Sequence, residues 1–155
     1  MTDRPYHIYL ATDHAGFLLK DNIKDWLVNA GYAVTDFGAH EYDAVDDFPD
    51  YIKKAAMAVS KQPATSRGII FGGSGQGEAM VANRFPNVRA TVYYGGNDDI
   101  ILLSRQHNDA NMLSIGARFV TVDEARRVID VWLSTDFHVD EKYERRNRKI
   151  EKVLD

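Results

Sequence analysis

The chain has 155 residues, of which 45% are hydrophobic and 27% charged, a size and balance typical of one folded domain spanning residues 1–155. It contains no cysteine and carries a formal net charge of −4. The first property excludes disulfides, thiolate metal ligands and a cysteine nucleophile, and the second gives no reason to expect a nucleic-acid surface. No apolar run approaches the roughly 20 residues of a membrane span, and residues 1–7 lack the apolar region of a signal peptide. We therefore expect a cytoplasmic protein with no membrane or nucleic-acid partner.

Short apolar runs and helically spaced apolar residues alternate along the chain. The predicted strands cover residues 8–11, 32–37, 68–71, 88–93 and 112–115. The predicted helices cover residues 19–30, 48–59, 76–84, 95–104, 122–133 and 141–154. Because strands alternate with helices, we expect parallel βαβ units with right-handed crossovers, and so an α/β fold with five parallel strands.

Three polar turns follow predicted strands. Asp13-His14 follows the first strand, a glycine-rich loop follows the third, and Gly95-Gly96-Asn97 follows the fourth. Ligands of parallel sheets bind at the carboxyl ends of the strands. We therefore expect these turns to converge on one site.

The glycine-rich loop runs from Gly72 to Glu78 and reads Gly-Gly-Ser-Gly-Gln-Gly-Glu. Glycine permits positive φ and close approach to the main chain, and successive N–H groups at a helix start can cradle an anion. The loop is not a dinucleotide fingerprint, because that motif would lie in the first strand–helix turn. It is not a P-loop either, because a P-loop would carry Lys and Ser/Thr where Glu78 stands. A tight turn whose glycines serve packing alone is the less favoured alternative, because packing rarely needs four glycines in six residues.

The polar residues near these turns each have two interpretations. Glu78 is either a base beside the bound anion or a bystander favoured by the helix N-terminus. His14 and His107 are either functional or structural, as single histidines usually are. No histidine pair has the i, i+4 spacing of a metal site and no H-E-x-x-H is present, so we predict no metal and no other cofactor.

The last predicted helix, about residues 140–154, is heavily charged. It carries four basic residues three or four apart: Lys142, Arg145, Lys149 and Lys152. A solvated charged face is the ordinary interpretation, and a phosphate clamp is the functional one. Because the helix has little apolar surface of its own, we expect it to dock on another surface, such as a partner subunit.

Taken together, the motifs resemble the ribose-5-phosphate isomerase B family, which includes the galactose-6-phosphate isomerase subunits. The resemblance covers nearly the whole chain. It is carried by five segments in order: Thr12-Asp13-His14-Ala15-Gly16-Phe17, Asp47-Phe48-Pro49-Asp50-Tyr51, Gly73-Ser74-Gly75-Gln76-Gly77, Ser104-Arg105-Gln106-His107-Asn108-Asp109 and Gly116-Ala117-Arg118.

This resemblance implies a metal-independent aldose–ketose isomerase for sugar phosphates, on a Rossmann-like three-layer αβα fold with an extra C-terminal helix. It implies that His107 opens the sugar ring while Asp13 holds the ring oxygen, and that a base moves a proton between C2 and C1 through a cis-enediolate. The groups that would stabilise the enediolate charge are Ser74 and the amides of Gly73, Gly75 and Gly77. The groups that would bind the rest of the substrate are Asn108 for hydroxyls and His14, Arg118, Arg145 and Lys149 for phosphate.

Two departures from the family pattern bear on these roles. Many members use a cysteine as base at the position of Gly72, whereas a second subgroup has the loop seen here and uses the glutamate, which is Glu78. In the last helix, an Arg-His pair of the family becomes Arg145-Arg146, and Arg148 is an alternative to Lys149. The register of the phosphate ligands therefore stays open.

The leading functional prediction is the interconversion of ribose 5-phosphate and ribulose 5-phosphate. The alternatives are the same chemistry on another sugar phosphate, such as galactose 6-phosphate, allose 6-phosphate or a tetrose phosphate, and a non-catalytic sugar-phosphate-binding module. The resemblance also implies a homodimer or homotetramer whose active sites are shared between subunits.

Overall fold

Five strands form one parallel sheet in the order β2-β1-β3-β5-β4 in the computed structural model of the protein. The structure describes residues 5–155. The prediction that residues 1–7 hold no signal peptide therefore falls in part, over residues 1–4, outside the described residues. The strands are β1 His7–Thr12, β2 Ala33–Asp36, β3 Ser66–Gly72, β4 Ala90–Tyr93 and β5 Met112–Gly116. The predicted five-stranded parallel sheet is confirmed.

Helices cover both faces of this sheet and make it the middle of three layers. They are α1 Phe17–Asn29, α2 Phe48–Lys61, α3 Gln76–Ala82, α4 Asp99–Gln106, α5 Val122–Ser134 and α6 Glu141–Glu151. A 3-10 turn, His14–Gly16, lies between β1 and α1. The predicted three-layer fold with an extra C-terminal helix is therefore confirmed. None of the helices within residues 5–155 has the length and apolar content needed to cross a membrane.

Some element ends differ from the prediction. The helix predicted over residues 95–104 begins only at Asp99, because Gly95 and Gly96 have φ of +101° and +97°, which a right-handed helix does not admit. The fourth strand begins at Ala90 and not at residue 88, and the last helix ends at Glu151, three residues short of the prediction.

Successive residues of the central strand explain why both faces need a helical layer. In β3, Ile69 and Phe71 pack into the hydrophobic cluster on the α1 and α5 side, while Ile70 packs into the cluster on the α2 side. Side chains of a strand alternate between its faces, and all seven residues of β3 are buried. A strand that is apolar on both faces is typical of the interior of a parallel sheet.

The strand order also places the candidate site. From β1 the chain moves outward to β2 and then returns to the other side of β1 as β3. This reversal leaves a crevice at the carboxyl ends of β1 and β3, which is where open α/β sheets bind their ligands. The Asp13 turn and the glycine loop follow those two strands.

Candidate active site

The Asp13 turn is tied to the end of β3. The Thr12 hydroxyl donates a hydrogen bond to the Phe71 carbonyl at 3.1 Å, and Asp13 caps the 3-10 turn by accepting the Ala15 N–H at 3.0 Å. A Cβ on Gly16 would lie 2.4 Å from Thr12 Oγ1. Only glycine lets the turn approach the strands this closely, and Asp13 is left 7% exposed beside the crevice.

The glycine loop is curved by Gly75, which has a φ of +80°. Its carbonyl accepts the Ser114 hydroxyl at 2.6 Å, which binds the loop to β5. At the next turn the Phe48 ring packs so close to Gly77 that a Cβ there would lie 2.7 Å from Phe48 Cζ. Ser74 is exposed, and its Oγ accepts the Gln76 N–H at 3.3 Å, so its own proton is available to a ligand.

The carboxylate of Glu78 lies directly above Gly72. A Cβ built on Gly72 would lie 1.9 Å from Glu78 Oε1 and 2.0 Å from Glu78 Cδ. The carboxylate therefore occupies the space that any side chain at position 72 would need. Although a glutamate in the first turn of a helix ordinarily faces solvent, this residue is only 4% exposed.

Burial raises the pKa of Glu78 above its ordinary value of 4.5, because the charged form loses hydration. The nearby Asp13 charge acts in the same direction, whereas a hydrogen bond from the backbone of Glu78 opposes the shift. Desolvation is the largest of these effects. A carboxyl group with a raised pKa can both accept and return a proton near neutral pH.

Arg118 joins this group from the carboxyl end of β5. Its backbone N–H donates to the Gly73 carbonyl at 3.2 Å, and a Cβ on Gly73 would lie 3.1 Å from its guanidinium Nη1. The exposed guanidinium therefore lies against the glycine loop.

His14 is held by a residue that the sequence analysis did not single out. Its ring Nδ1 lies 2.6 Å from Asp46 Oδ1 and 3.8 Å from Asp13 Oδ2. Asp46 belongs to the acidic loop between β2 and α2, where four acids stand within seven residues. No spacing in that loop distinguishes Asp46 from its neighbours, so local pattern held no signal for it.

Asp13, His14 and Asp46 are also the one group among residues 5–155 whose spacing would suit a metal ion, since their ligand atoms lie within 4.8 Å of one another. The hydrogen bond between His14 and Asp46 accounts for the closest approach without an ion. The absence of a metal cofactor stays a prediction.

His107 and Asn108 lie at the other end of the sheet. The Asn108 carbonyl accepts Arg89 Nε–H at 2.9 Å, and Arg89 immediately precedes β4. The two predicted site residues are therefore at the amino ends of the strands, whereas Glu78 is at the carboxyl ends. Roughly 13 Å of strand separates these edges along β5.

The C-terminal helix α6 packs beside His107. The His107 ring stacks on Tyr143 with centroids 4.2 Å apart and planes at 16°, and Asn147 Nδ2 donates to the His107 carbonyl at 3.1 Å. Arg145 pairs with Glu141. The basic residues whose register was left open are all exposed: Arg145, Arg146, Arg148 and Lys149.

A cavity of about 570 Å³ lies at this amino edge, between α6, the start of β4 and the end of α3. Asn108, Phe85 and Ile150 line it. It does not include Glu78. Within one chain the predicted site residues thus form two groups, a carboxyl-edge group around Glu78 and an amino-edge group around His107, and the fold does not bring them together.

Comparison with known proteins places this arrangement in a family. The family model for ribose/galactose isomerases matches residues 8–152. The chain belongs to the ribose/galactose isomerase family. Two curated relatives are the ribose-5-phosphate isomerase B proteins of Mycolicibacterium paratuberculosis, 38% identical over 90% of this chain and 86% of the relative, and of Escherichia coli, 36% identical over 84% of this chain and 85% of the relative.

Solved structures of family members have the same fold. Ribose-5-phosphate isomerase B from Mycoplasma genitalium, crystallised with bound ribulose 5-phosphate, is 34% identical with a TM-score of 0.91 and covers 96% of both chains. The enzyme of that name from Clostridium thermocellum is 38% identical with a TM-score of 0.88, covering 96% of this chain and 97% of the other.

Proposed function

We propose that this member of the ribose/galactose isomerase family interconverts ribose 5-phosphate and ribulose 5-phosphate by acid–base proton transfer between C2 and C1. The observation that carries the proposal is the buried Glu78 carboxylate above Gly72, at the glycine loop. Relatives named ribose-5-phosphate isomerase B cover most of the chain, and one solved structure of that name holds ribulose 5-phosphate, which supports the choice of sugar.

Glu78 is the proposed base. The family subgroup with glutamate in place of cysteine has the loop sequence of this chain, and the contact between Glu78 and Gly72 supports that assignment. A thiol on residue 72 and the Glu78 carboxylate would compete for the same space. The raised pKa of Glu78 suits a group that takes the proton from C2 and returns it to C1.

The glycine loop is proposed to stabilise the enediolate that forms between the two proton transfers. Preorganised donors at a developing oxyanion are commonly the largest electrostatic contribution to catalysis. The Ser74 hydroxyl can donate there, together with the amides of Gly73, Gly75 and Gly77. Asp13 is assigned to the ring oxygen, since it is buried at the same crevice and its charge reaches Glu78.

Phosphate is proposed to bind between His14 and Arg118, with further cations from α6. An imidazole held by Asp46 and a guanidinium against the glycine loop flank the crevice from two sides. Guanidinium and imidazolium groups bind phosphate oxygens by charge-assisted hydrogen bonds. Arg145 and either Arg148 or Lys149 would complete the phosphate site.

We propose that His107, Asn108 and the cations of α6 come from a second copy of the chain. They lie at the amino edge of the sheet, so His107 cannot open a sugar ring beside the Glu78 of its own subunit. A homodimer or homotetramer that places the amino edge and α6 of one subunit against the glycine loop of another would complete each site.

The central test is the variant Glu78→Gln. We expect kcat to fall by about 10² to 10⁴, the usual contribution of general acid–base catalysis, while ribulose 5-phosphate still binds. The assay follows isomerisation and, by NMR in D₂O, the exchange of the C2 proton with solvent. Glu41→Gln, which removes an exposed carboxylate from the neighbouring loop, serves as the control and should keep wild-type turnover.

Turnover retained by Glu78→Gln would remove Glu78 from the mechanism. The choice of sugar is tested by comparing kcat/KM of the wild type for ribose 5-phosphate, galactose 6-phosphate, allose 6-phosphate and a tetrose phosphate. A higher kcat/KM for a hexose or tetrose phosphate would contradict the pentose assignment. If the protein binds these sugar phosphates but exchanges the C2 proton of none of them, it is a binding module and not an enzyme.

A further inference from the structure

Asp46 holds His14 by two hydrogen bonds to one oxygen. Asp46 Oδ1 lies 2.6 Å from the ring Nδ1 of His14 and accepts the His14 backbone N–H at 3.1 Å. Because a carboxylate only accepts hydrogen bonds, Nδ1 carries the proton in this contact. The ring nitrogen left for a ligand is therefore Nε2.

The burial of Asp46 indicates that this contact is more than a surface ion pair. Its side chain is 5% exposed, against 23% for His14. Its second oxygen, Oδ2, is buried and has no partner within hydrogen-bond geometry among residues 5–155. The Tyr51 hydroxyl is the other polar group beside this carboxylate, and the Asp46 charge, after burial, is a cause of the raised pKa of Tyr51. A buried carboxylate with one unsatisfied oxygen is costly unless a positive partner offsets the cost, and His14 is the partner that the structure supplies.

The loop that carries Asp46, residues 38–47, is anchored beside the turn that carries His14. Thr12 donates its N–H to the Gly38 carbonyl at 2.7 Å, and the Ala39 N–H donates back to the Thr12 carbonyl at 2.7 Å. The fully buried Lys20 donates to the Ala39 carbonyl at 2.9 Å. The start of the loop and the His14 turn therefore form one connected unit.

This geometry decides what Nε2 can do. With Nδ1–H donated to Asp46, a neutral imidazole presents Nε2 as an acceptor, whereas an imidazolium presents a second donor. An ionised phosphate oxygen accepts hydrogen bonds, so it binds the imidazolium form. The Asp46 and Asp13 carboxylates, at 2.6 Å and 3.8 Å from Nδ1, balance the charge of that form.

We infer that Asp46 is a positioning residue for substrate binding, which orients the His14 ring through Nδ1 and offsets its charge when Nε2 donates to the phosphate. Asp46 does not touch the substrate. The inference rests on the proposed function in one respect, the assignment of His14 to phosphate.

Two variants separate the charge of Asp46 from its hydrogen bond. Asp46→Asn keeps an accepting oxygen and removes the charge, and Asp46→Ala removes both. We expect Asp46→Asn to raise KM for ribose 5-phosphate and the inhibition constant of inorganic phosphate by about tenfold each, which corresponds to one charge-assisted contact, with kcat within about threefold of wild type. Asp46→Ala should raise both further.

The matched control is Asp47→Asn, which removes the same charge one residue along the chain. Asp47 is exposed and its side chain makes no capping hydrogen bond to α2. A readout independent of activity is ¹⁵N NMR of the His14 ring, assigned with His14→Gln. The wild type should show Nδ1 protonated in the neutral ring, and Asp46→Ala should lose that tautomer preference.

The possible results distinguish the inference about Asp46 from the proposed isomerase function. If Asp46→Asn and Asp46→Ala leave KM, phosphate inhibition and the His14 tautomer at wild-type values, or if kcat falls with KM unchanged, the inference is wrong. A chelator-sensitive KM in the wild type would instead assign Asp13, His14 and Asp46 to a metal ion and overturn it. If the wild type lacks isomerase activity while phosphate binding, measured by calorimetry, still depends on Asp46, the proposed function fails and the inference stands.

Discussion

At the scale of single residues, Glu78 is the group whose surroundings matter most to its chemistry. A carboxyl group taken from water into the crevice keeps its proton more readily, and the neighbouring Asp13 charge adds to the effect. The start of α3 would favour the ionised form. Desolvation outweighs it because the side chain is almost fully enclosed.

The raised pKa of Glu78 makes a prediction about stability. Since the folded state holds this proton more tightly than the unfolded chain, the contribution of Glu78 to the free energy of unfolding should fall as pH rises from 4.5 through the raised pKa, by at most about 1.4 kcal/mol per pH unit. Glu78→Gln cannot ionise there. It should therefore match the wild type near pH 4 and exceed it at neutral pH, as measured by urea unfolding across that range. Parallel stability curves for the two proteins would contradict the prediction.

At the scale of elements, strand β3 shows how glycine makes room for function at one end and for packing at the other. Gly72 ends the strand under the Glu78 carboxylate, and Gly68 near its start faces Met112. Neither position has room for a Cβ, since its closest contacts would be 1.9 Å at Gly72 and 2.5 Å at Gly68. At Gly72 the Cβ would displace the Glu78 carboxylate, whereas at Gly68 it would displace the end of the Met112 side chain.

Gly72→Ala should therefore abolish activity by pushing the Glu78 carboxylate out of its place, with kcat/KM reduced at least about 100-fold. Gly68→Ala is the matched control in the same strand. It meets the flexible end of Met112 and should cost stability of about 1–3 kcal/mol by overpacking while kcat/KM stays near wild type. Steady-state kinetics and urea unfolding of both variants check this pair, and an active Gly72→Ala would show that the carboxylate position is not needed.

At the scale of the whole molecule, the separation of the two site groups across the sheet has the largest consequence. His107 is fixed at the amino edge by its stacking on Tyr143 and by Asn147, while Glu78 lies at the carboxyl edge. No side-chain rotation bridges a gap set by the length of the strands. The proposed mechanism therefore needs a second subunit to bring the two groups together.

Mixing two inactive variants tests this sharing of sites. Glu78→Gln and His107→Asn should each be inactive alone. After unfolding and refolding together at equal amounts, half of the dimers should be mixed and each mixed dimer should hold one intact site of two, so activity should return to about a quarter of the wild type. No recovery, with mixed dimers verified by mass spectrometry, would place both residues in one subunit's site.

Much of the architecture was predictable because its signals are local. A short apolar run identifies a strand such as β3, and the 3.6-residue period of apolar side chains identifies a helix such as α5, each from a few neighbouring residues. The start of α4 was misjudged because apolar spacing does not reveal that Gly95 and Gly96 take left-handed φ. Asp46 was missed because its partner His14 lies 32 residues away, and nothing in the intervening sequence encodes that distance.

The sequence by itself determined the order of the elements, the glycine loop and the lack of any thiol at Gly72, since each of these is a property of neighbouring residues. The tertiary structure alone decided that the Glu78 carboxylate is buried above Gly72, that Asp46 holds His14, and that His107 lies at the opposite edge of the sheet from Glu78. The physical reason is that burial, charge pairing and distance depend on which strands become neighbours. In a parallel sheet with the order β2-β1-β3-β5-β4, those neighbours come from parts of the chain that lie far apart in sequence.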